Sequence, residues 1–180
     1  MTTPDDRSRL REHIRAALRP VPDFPVHGVL FQDITPVLSD AGLFGRVITA
    51  MAEPWASAGI THVAAVESRG FVLGGAVAAA LGAGFVPVRK PGRLPRQTAR
   101  VAYALEYRED LLEMHVDACP GGSVLVLDDV LATGGTAAAA CALVENVGGR
   151  VVGASFLVSI QALDGATHLT GRHIESLVDC

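Results

Sequence analysis

The sequence predicts an α/β fold in which a mostly parallel sheet carries helices on both faces. Three observations lead there. Short β-branched, apolar runs alternate with helical stretches along the chain. Each run is apolar at consecutive positions, which suits a strand buried on both sides. Of 180 residues, 49% are hydrophobic and 19% charged but only 5% aromatic, so a large core is available and must be aliphatic. That length fits one domain, residues 1–180, able to bury roughly 70% of its unfolded surface without a disulfide or metal staple.

Leu10, Ile14, Ala17 and Leu18 share one helical stripe, so Pro4–Leu18 is expected as an amphipathic helix stopped near Pro20. Val21–Pro36, rich in proline and turn residues, is expected as loop. A helix follows over Gly42–Ala58, then a buried strand at Thr61–Val66 and a helix at Ser68–Leu81. Phe85–Val88, Ser123–Leu127 and Val151–Leu157 are the further apolar strands. Alanine-rich Thr136–Val147 is a helix ended by Gly148–Gly149. One part breaks the pattern: Val101–Glu106 and Leu111–Asp117 alternate apolar and polar residues around Arg108–Glu109–Asp110. This spacing predicts a two-stranded hairpin, about 96–117, standing off the main sheet.

Composition excludes several functions. A net charge of −4 and a pI near 5.8 argue against a nucleic-acid partner, whose binders are usually basic. Gly70–Val88 is uncharged for 19 residues, but Gly74, Gly75, Gly82, Gly84 and Pro87 break it, so no membrane span is expected. The first residues are polar and then charged, unlike a secretory signal, and a cytoplasmic location is expected. Cys119, Cys141 and Cys180 are too scattered for a disulfide framework or a metal site, and the six histidines form no spaced ligand set.

The chemistry concentrates in Ser123–Thr136. A buried strand delivers two adjacent carboxylates, Asp128 and Asp129, at its carboxyl end, where ligands bind in open α/β sheets. The small-residue loop Ala132-Thr133-Gly134-Gly135-Thr136 then opens a helix, offering backbone N–H groups, two hydroxyls and a favourable dipole to an anion. Phosphate is the natural occupant. Walker-type and dinucleotide loops do not fit: the one lysine, Lys90, precedes Pro91, and Gly82-x-Gly84 meets Pro87 where a third glycine belongs. Acids beside an anion site suit a ligand with both hydroxyls and phosphate, such as a ribose 5-phosphate.

Val124–Thr136 resembles the signature for 5-phosphoribosyl 1-diphosphate (PRPP) of the type I phosphoribosyltransferases. The likeness extends to their adenine-specific branch. Pro22-Asp23-Phe24-Pro25, Phe31-Gln32-Asp33-Ile34-Thr35-Pro36, Glu67-Ser68-Arg69-Gly70-Phe71, Arg89-Lys90-Pro91-Gly92-Arg93-Leu94-Pro95 and Leu105-Glu106-Tyr107 match its motifs in order, over roughly Val21 to Gly165. The resemblance implies a type I fold with a small N-terminal base-site segment and a flexible hairpin hood. It also implies a magnesium-dependent transfer of the phosphoribosyl group from PRPP to adenine, giving AMP and pyrophosphate in purine salvage. No residue is implied as a direct metal ligand; Mg²⁺ is carried mainly by PRPP, near Asp128 and Asp129.

By that likeness, Asp128 and Asp129 hold the ribose hydroxyls and Ala132, Thr133, Gly134, Gly135 and Thr136 cradle the 5-phosphate. Ser68 and Arg69 meet the pyrophosphate, and the Glu67–Ser68 bond is a candidate for a cis peptide. Arg89 and Lys90 reach into the neighbouring subunit's site, which implies a homodimer. Glu106, with Tyr107, lies on the hood over the base and acts on adenine as the new bond forms. Phe31 and Ile160 sandwich the base, and the main chain of Leu30 and Gln32 meets its polar edge. Independently of the likeness, Arg89, Lys90, Arg93, Arg96 and Arg100 place five of fifteen basic residues in one segment with no acid before Glu106. A chain of net negative charge that binds a diphosphate needs such a concentration. Two alternatives stand beside this reading: transfer to hypoxanthine, guanine or xanthine, and a non-catalytic PRPP- or nucleotide-sensing regulator.

Overall fold

The computed structural model describes residues 4–24, 26–105 and 108–180. Two compact units divide the chain, Met1–Ala50 and Met51–Cys180.

The first unit opens with helix α1 (Pro4–Ala17), whose Leu10 and Ile14 are buried as the stripe requires. Val21–Pro36 is not simply loop. Strands β1 (Arg19–Pro22) and β2 (Leu30–Asp33) pair antiparallel, and the short helix α2 (Thr35–Ser39) follows. Pro20 and Pro22 obscured this, yet residues two apart in a strand present their nitrogens to the same edge, so only one edge loses its donors. Asp23 takes a left-handed φ of 58° in the connecting turn, where its carboxylate accepts the Gly28 N–H at 2.8 Å. Helix α3 (Ala41–Ala52) starts where Asp40 caps it, accepting the Leu43 N–H at 2.9 Å. It ends six residues earlier than Ala58, because Pro54 lacks the N–H that would continue it; a 3₁₀ turn over Glu53–Trp55 replaces the last turns.

In the second unit, β3 (His62–Val66), β4 (Gly84–Val88), β7 (Ser123–Leu131), β8 (Arg150–Ser159) and β9 (His173–Asp179) form an all-parallel sheet in the order β4-β3-β7-β8-β9. Alternate residues of β3 show that both faces are covered. Ala65 abuts Gly74 of helix α4 (Arg69–Leu81), whereas Ala64 lies in the core cluster with Ala140, Cys141 and Val144 of helix α5 (Gly135–Asn146). The uncharged stretch 70–88 is thus split between α4 and β4, and no helix among the described residues is long and apolar enough to cross a membrane. Burial pushes the Cys141 thiol up to about 11, as befits a small core residue.

Strands β5 (Thr98–Leu105) and β6 (Arg108–His115) pair antiparallel as a separate two-stranded sheet. Arg108–Asp110 belong to β6 rather than to a turn, since Leu105 already faces Arg108. Nor does the hairpin stand free: Leu112 and Met114 are buried in the α5 core cluster.

Candidate active site

Strand β7 runs four residues beyond Leu127 and carries both acids within it. Next to it, β3 ends at Val66 and a cis Glu67–Ser68 peptide turns the chain into α4 at Arg69. This brings Arg69 onto Asp129: its Nε donates to Asp129 Oδ2 in a close ion pair, and Asp129 is only 5% exposed. For Asp128 the nearby Arg69 charge is the smaller influence. Its Oδ1 accepts the Asp129 N–H at 2.9 Å, and burial, followed by the neighbouring Asp129 charge, pushes its carboxyl well above the usual range. Gly70 makes room for it, because a Cβ there would lie 2.7 Å from Asp128 Oδ1.

After β7 the chain bends through Ala132 and Thr133 to Gly134, whose φ of 84° caps α5 in a conformation that disfavours any side chain. The first N–H groups of α5 have no carbonyl partner inside the helix, so the loop presents donors to an anion. What the glycine faces was not legible in the sequence. A Cβ on Gly134 would strike the Gly165 carbonyl oxygen and lie 3.1 Å from His168 Cβ; a Cβ on Gly165 would strike the Ala132 carbonyl oxygen. The two glycines let the 3₁₀ segment Gly165–Leu169 close directly against the Ala132–Thr136 loop. Ile160 enters the same neighbourhood, its N–H donating to the Leu131 carbonyl at 2.9 Å.

Arg89 follows β4. Its Nε donates to Glu67 Oε2 at 2.6 Å, its Nη1 to the Arg93 carbonyl at 3.1 Å, and its guanidinium sits 5.8 Å from the Phe71 ring centre. Lys90 Nζ lies 3.5 Å from Asp110. The basic segment is therefore matched by acids of its own unit, including Arg96 with Asp117 and Arg100 with Glu113 at 3.2 Å.

Ser68, Arg69, Asp128 and Asp129 are thus gathered where β3 and β7 end, and Arg89 is tied to them through Glu67. Leu30, Phe31 and Gln32 lie on β2 of the first unit, where Phe31 meets Phe24 edge-on at 5.0 Å between ring centres. Glu106 and Tyr107 lie outside the described residues. Sequence reasoning named Glu67 and Gly70 within a matching motif but not their partners Arg89 and Asp128, and it missed Glu113 and Gly165. Each depends on a partner far along the chain, and only a pairing of strand ends could have signalled it. Among the described residues no three side chains gather as metal ligands. A magnesium ion suits this donor set only as one carried by phosphate oxygens and water, with the carboxylates nearby.

Known proteins give the same picture. A family model described as phosphoribosyl transferase domain matches residues 42–168. An adenine phosphoribosyltransferase of Myxococcus xanthus is 52% identical over 166 residues, 92% of this chain and 90% of the relative. The crystal structure of adenine phosphoribosyltransferase from Rhodothermus marinus superposes with a TM-score of 0.93 at 48% identity, over 96% of this chain and 99% of that one. The Saccharomyces cerevisiae enzyme, solved in complex with adenine and an imino-altritol bisphosphate, superposes at 0.88 with 36% identity, over 94% of this chain and 99% of that one. Identity of this depth, spread along nearly the whole chain, means that it belongs to the adenine phosphoribosyltransferases within the phosphoribosyltransferase family.

Proposed function

We infer that the chain transfers the 5-phosphoribosyl group of PRPP to adenine, releasing pyrophosphate and forming AMP. The observation that carries this is the acid pair of β7 leading into an N–H-rich loop at the start of α5, in a chain of this family. Asp128 and Asp129 accept hydrogen bonds from the ribose hydroxyls, and Ala132–Thr136 hold the 5-phosphate. The Arg69–Asp129 pair supports an exchange: Arg69 compensates the buried carboxylate while the site is free, then turns to the pyrophosphate beside Ser68 as the ribose takes its place. Asp128 and Asp129 lie where a magnesium ion carried by the diphosphate would be held nearby, and such an ion would supply positive charge to the leaving group. Arg89 and Lys90 add positive charge to the pyrophosphate, and Glu106 with Tyr107 acts at the base under the hood. Closing the hood excludes water, which a transition state with oxocarbenium character requires. Phe31 and Ile160 flank the adenine ring, and the Leu30 and Gln32 main chain reads its edge.

The same reading includes a homodimer, with Arg89 and Lys90 serving the neighbouring subunit. Val72 and Phe85, 48% and 40% exposed, support an apolar contact surface on α4 and the β4 edge. Buried free thiols at Cys119 and Cys141 accord with a cytoplasmic location. Purified protein, PRPP and Mg²⁺ incubated with each purine in turn, and read for nucleotide, test the function. AMP from adenine is expected; conversion of hypoxanthine, guanine or xanthine instead would replace the substrate. No conversion of any purine would favour the sensing regulator.

A further inference from the structure

We infer that Glu113 is a positioning residue for the basic segment: its buried carboxylate fixes Arg93 and Leu94, and through the Arg93 carbonyl the guanidinium of Arg89, in place for PRPP. The inference rests on the reading of Arg89 as a diphosphate ligand.

Glu113 sits in β6 between Leu112 and Met114, and all three are buried, at 1%, 1% and 0% exposure. Alternation should send the middle one to solvent. It does not, because the chain from Arg93 to Thr98 wraps over that face. Glu113 Oε1 accepts the N–H groups of Arg93 at 3.1 Å and Leu94 at 3.3 Å. Oε2 accepts the Thr98 hydroxyl and Arg100 Nε, each at 3.2 Å. The main chain of Glu113 also exchanges both hydrogen bonds with Arg89, the Arg89 N–H donating to the Glu113 carbonyl at 3.0 Å and the Arg89 carbonyl accepting the Glu113 N–H at 2.7 Å. One residue thus secures the backbone of Arg89, the middle of the loop and the start of β5.

The loop needs such an anchor. Between β4 and β5 the chain forms neither helix nor strand, it contains Pro91 and Pro95, and Gly92 turns with a φ of 77°. Burial alone would raise the Glu113 carboxyl, but the N–H groups of Arg93 and Leu94, the Thr98 hydroxyl and Arg100 outweigh it and hold the group below its ordinary value. The chemistry also requires a carboxylate and not an amide. Both oxygens receive two donors, so a glutamine would turn its NH₂ against one pair whichever way it lay.

The test is a double-mutant cycle on the full chain, with steady-state kinetics in both substrates. Glu113→Gln is expected to raise KM for PRPP about tenfold, the loss typical of charge-assisted hydrogen bonds, with kcat and KM for adenine within about twofold. In an Arg89→Ala background the same change should add little, since the group through which Glu113 acts is gone. Equal factors in both backgrounds, or equal rises in both KM values, would overturn the inference by marking a general structural role. A raised KM in Arg89→Ala with an unaltered one in Glu113→Gln removes Glu113 alone. An unaltered KM in Arg89→Ala removes the reading of Arg89 and this inference with it. Should Glu113→Gln not fold, Thr98→Val deletes one donor from the same carboxylate. Raised KM for PRPP and faster tryptic cleavage after Arg93 would support the anchor, and parental values of both would overturn it.

Discussion

Asp128 is expected to cost the fold stability, as a buried carboxylate proposed to meet the ribose would. Its carboxyl is raised by burial and by the charge of Asp129, so the folded protein binds that proton more tightly than the unfolded chain does. The group therefore subtracts stability above its raised pKa, and the loss is relieved as pH falls toward the ordinary carboxylate value. Asp128→Asn removes the charge while its Oδ1 can still accept the Asp129 N–H. We expect its Tm at neutral pH to rise by about 2–4 °C per kcal/mol relieved, and the stability gap to the parent to close at low pH. AMP affinity should fall about tenfold or more in calorimetric titration. A lowered Tm would mean that the charge is already compensated. Glu106→Gln is expected to cut kcat by about 10²-fold or more while PRPP affinity holds, since an amide keeps the size but not the transferable proton; kcat within twofold of the parent would take Glu106 out of the mechanism. The acid pair was legible because two acids end an apolar strand just before Thr-Gly-Gly-Thr. Glu113 was not, since an acid in an alternating strand ordinarily faces water.

Among the elements, the loop Ala132–Thr136, proposed to hold the 5-phosphate, abuts a segment about thirty residues downstream. Gly165→Ala would drive a methyl group into the Ala132 carbonyl and place it 2.9 Å from the Gly134 nitrogen. We expect about tenfold weaker AMP binding in a folded variant, with overpacking costing about 1–3 kcal/mol of stability; unchanged affinity would show that the 3₁₀ segment yields instead of the loop. Gly45 offers the contrast. It lies exposed within α3, nothing stands within 4 Å of a Cβ there, and alanine should stabilise by about 0.5–1 kcal/mol without touching activity. Thermal unfolding checks this, and an unchanged or lower Tm would count against it. Strands β3, β7 and β8 were legible because burial on both faces leaves unbroken apolar runs, and the edge strand β4 because its run stays apolar although Gly84 and Phe85 are exposed. The edge strand β9 was not: His173-Ile174-Glu175-Ser176 mixes polar residues into a partly buried strand, and only its pairing with β8 defines it. The β1–β2 pair was hidden by its prolines, and the hairpin turn was displaced because charged Arg108–Asp110 read as a tip.

For the whole molecule, the decisive question is whether Arg89 serves its own chain or the next. Within the chain it bonds Glu67, adjacent to Ser68. Mixing refolded Arg89→Ala with refolded Asp128→Asn separates the cases. In a mixed dimer, the body with intact Asp128 would receive Arg89 from its neighbour, so kcat/KM for PRPP should rise above that of either parent alone. No recovery in a demonstrated mixed dimer would confine Arg89 to its own subunit. The sheet order has a further consequence, for synthesis. β3 finds β4 within some twenty residues, but its other neighbour, β7, pairs His62 with Val124 across 62 positions of chain. At about 5–20 residues per second, an apolar strand leaves the ribosome and waits roughly 3–12 seconds with one flank open. Non-local closure of this kind is slow. The nascent chain, more than the finished enzyme, is where lower temperature or a chaperone would improve yield.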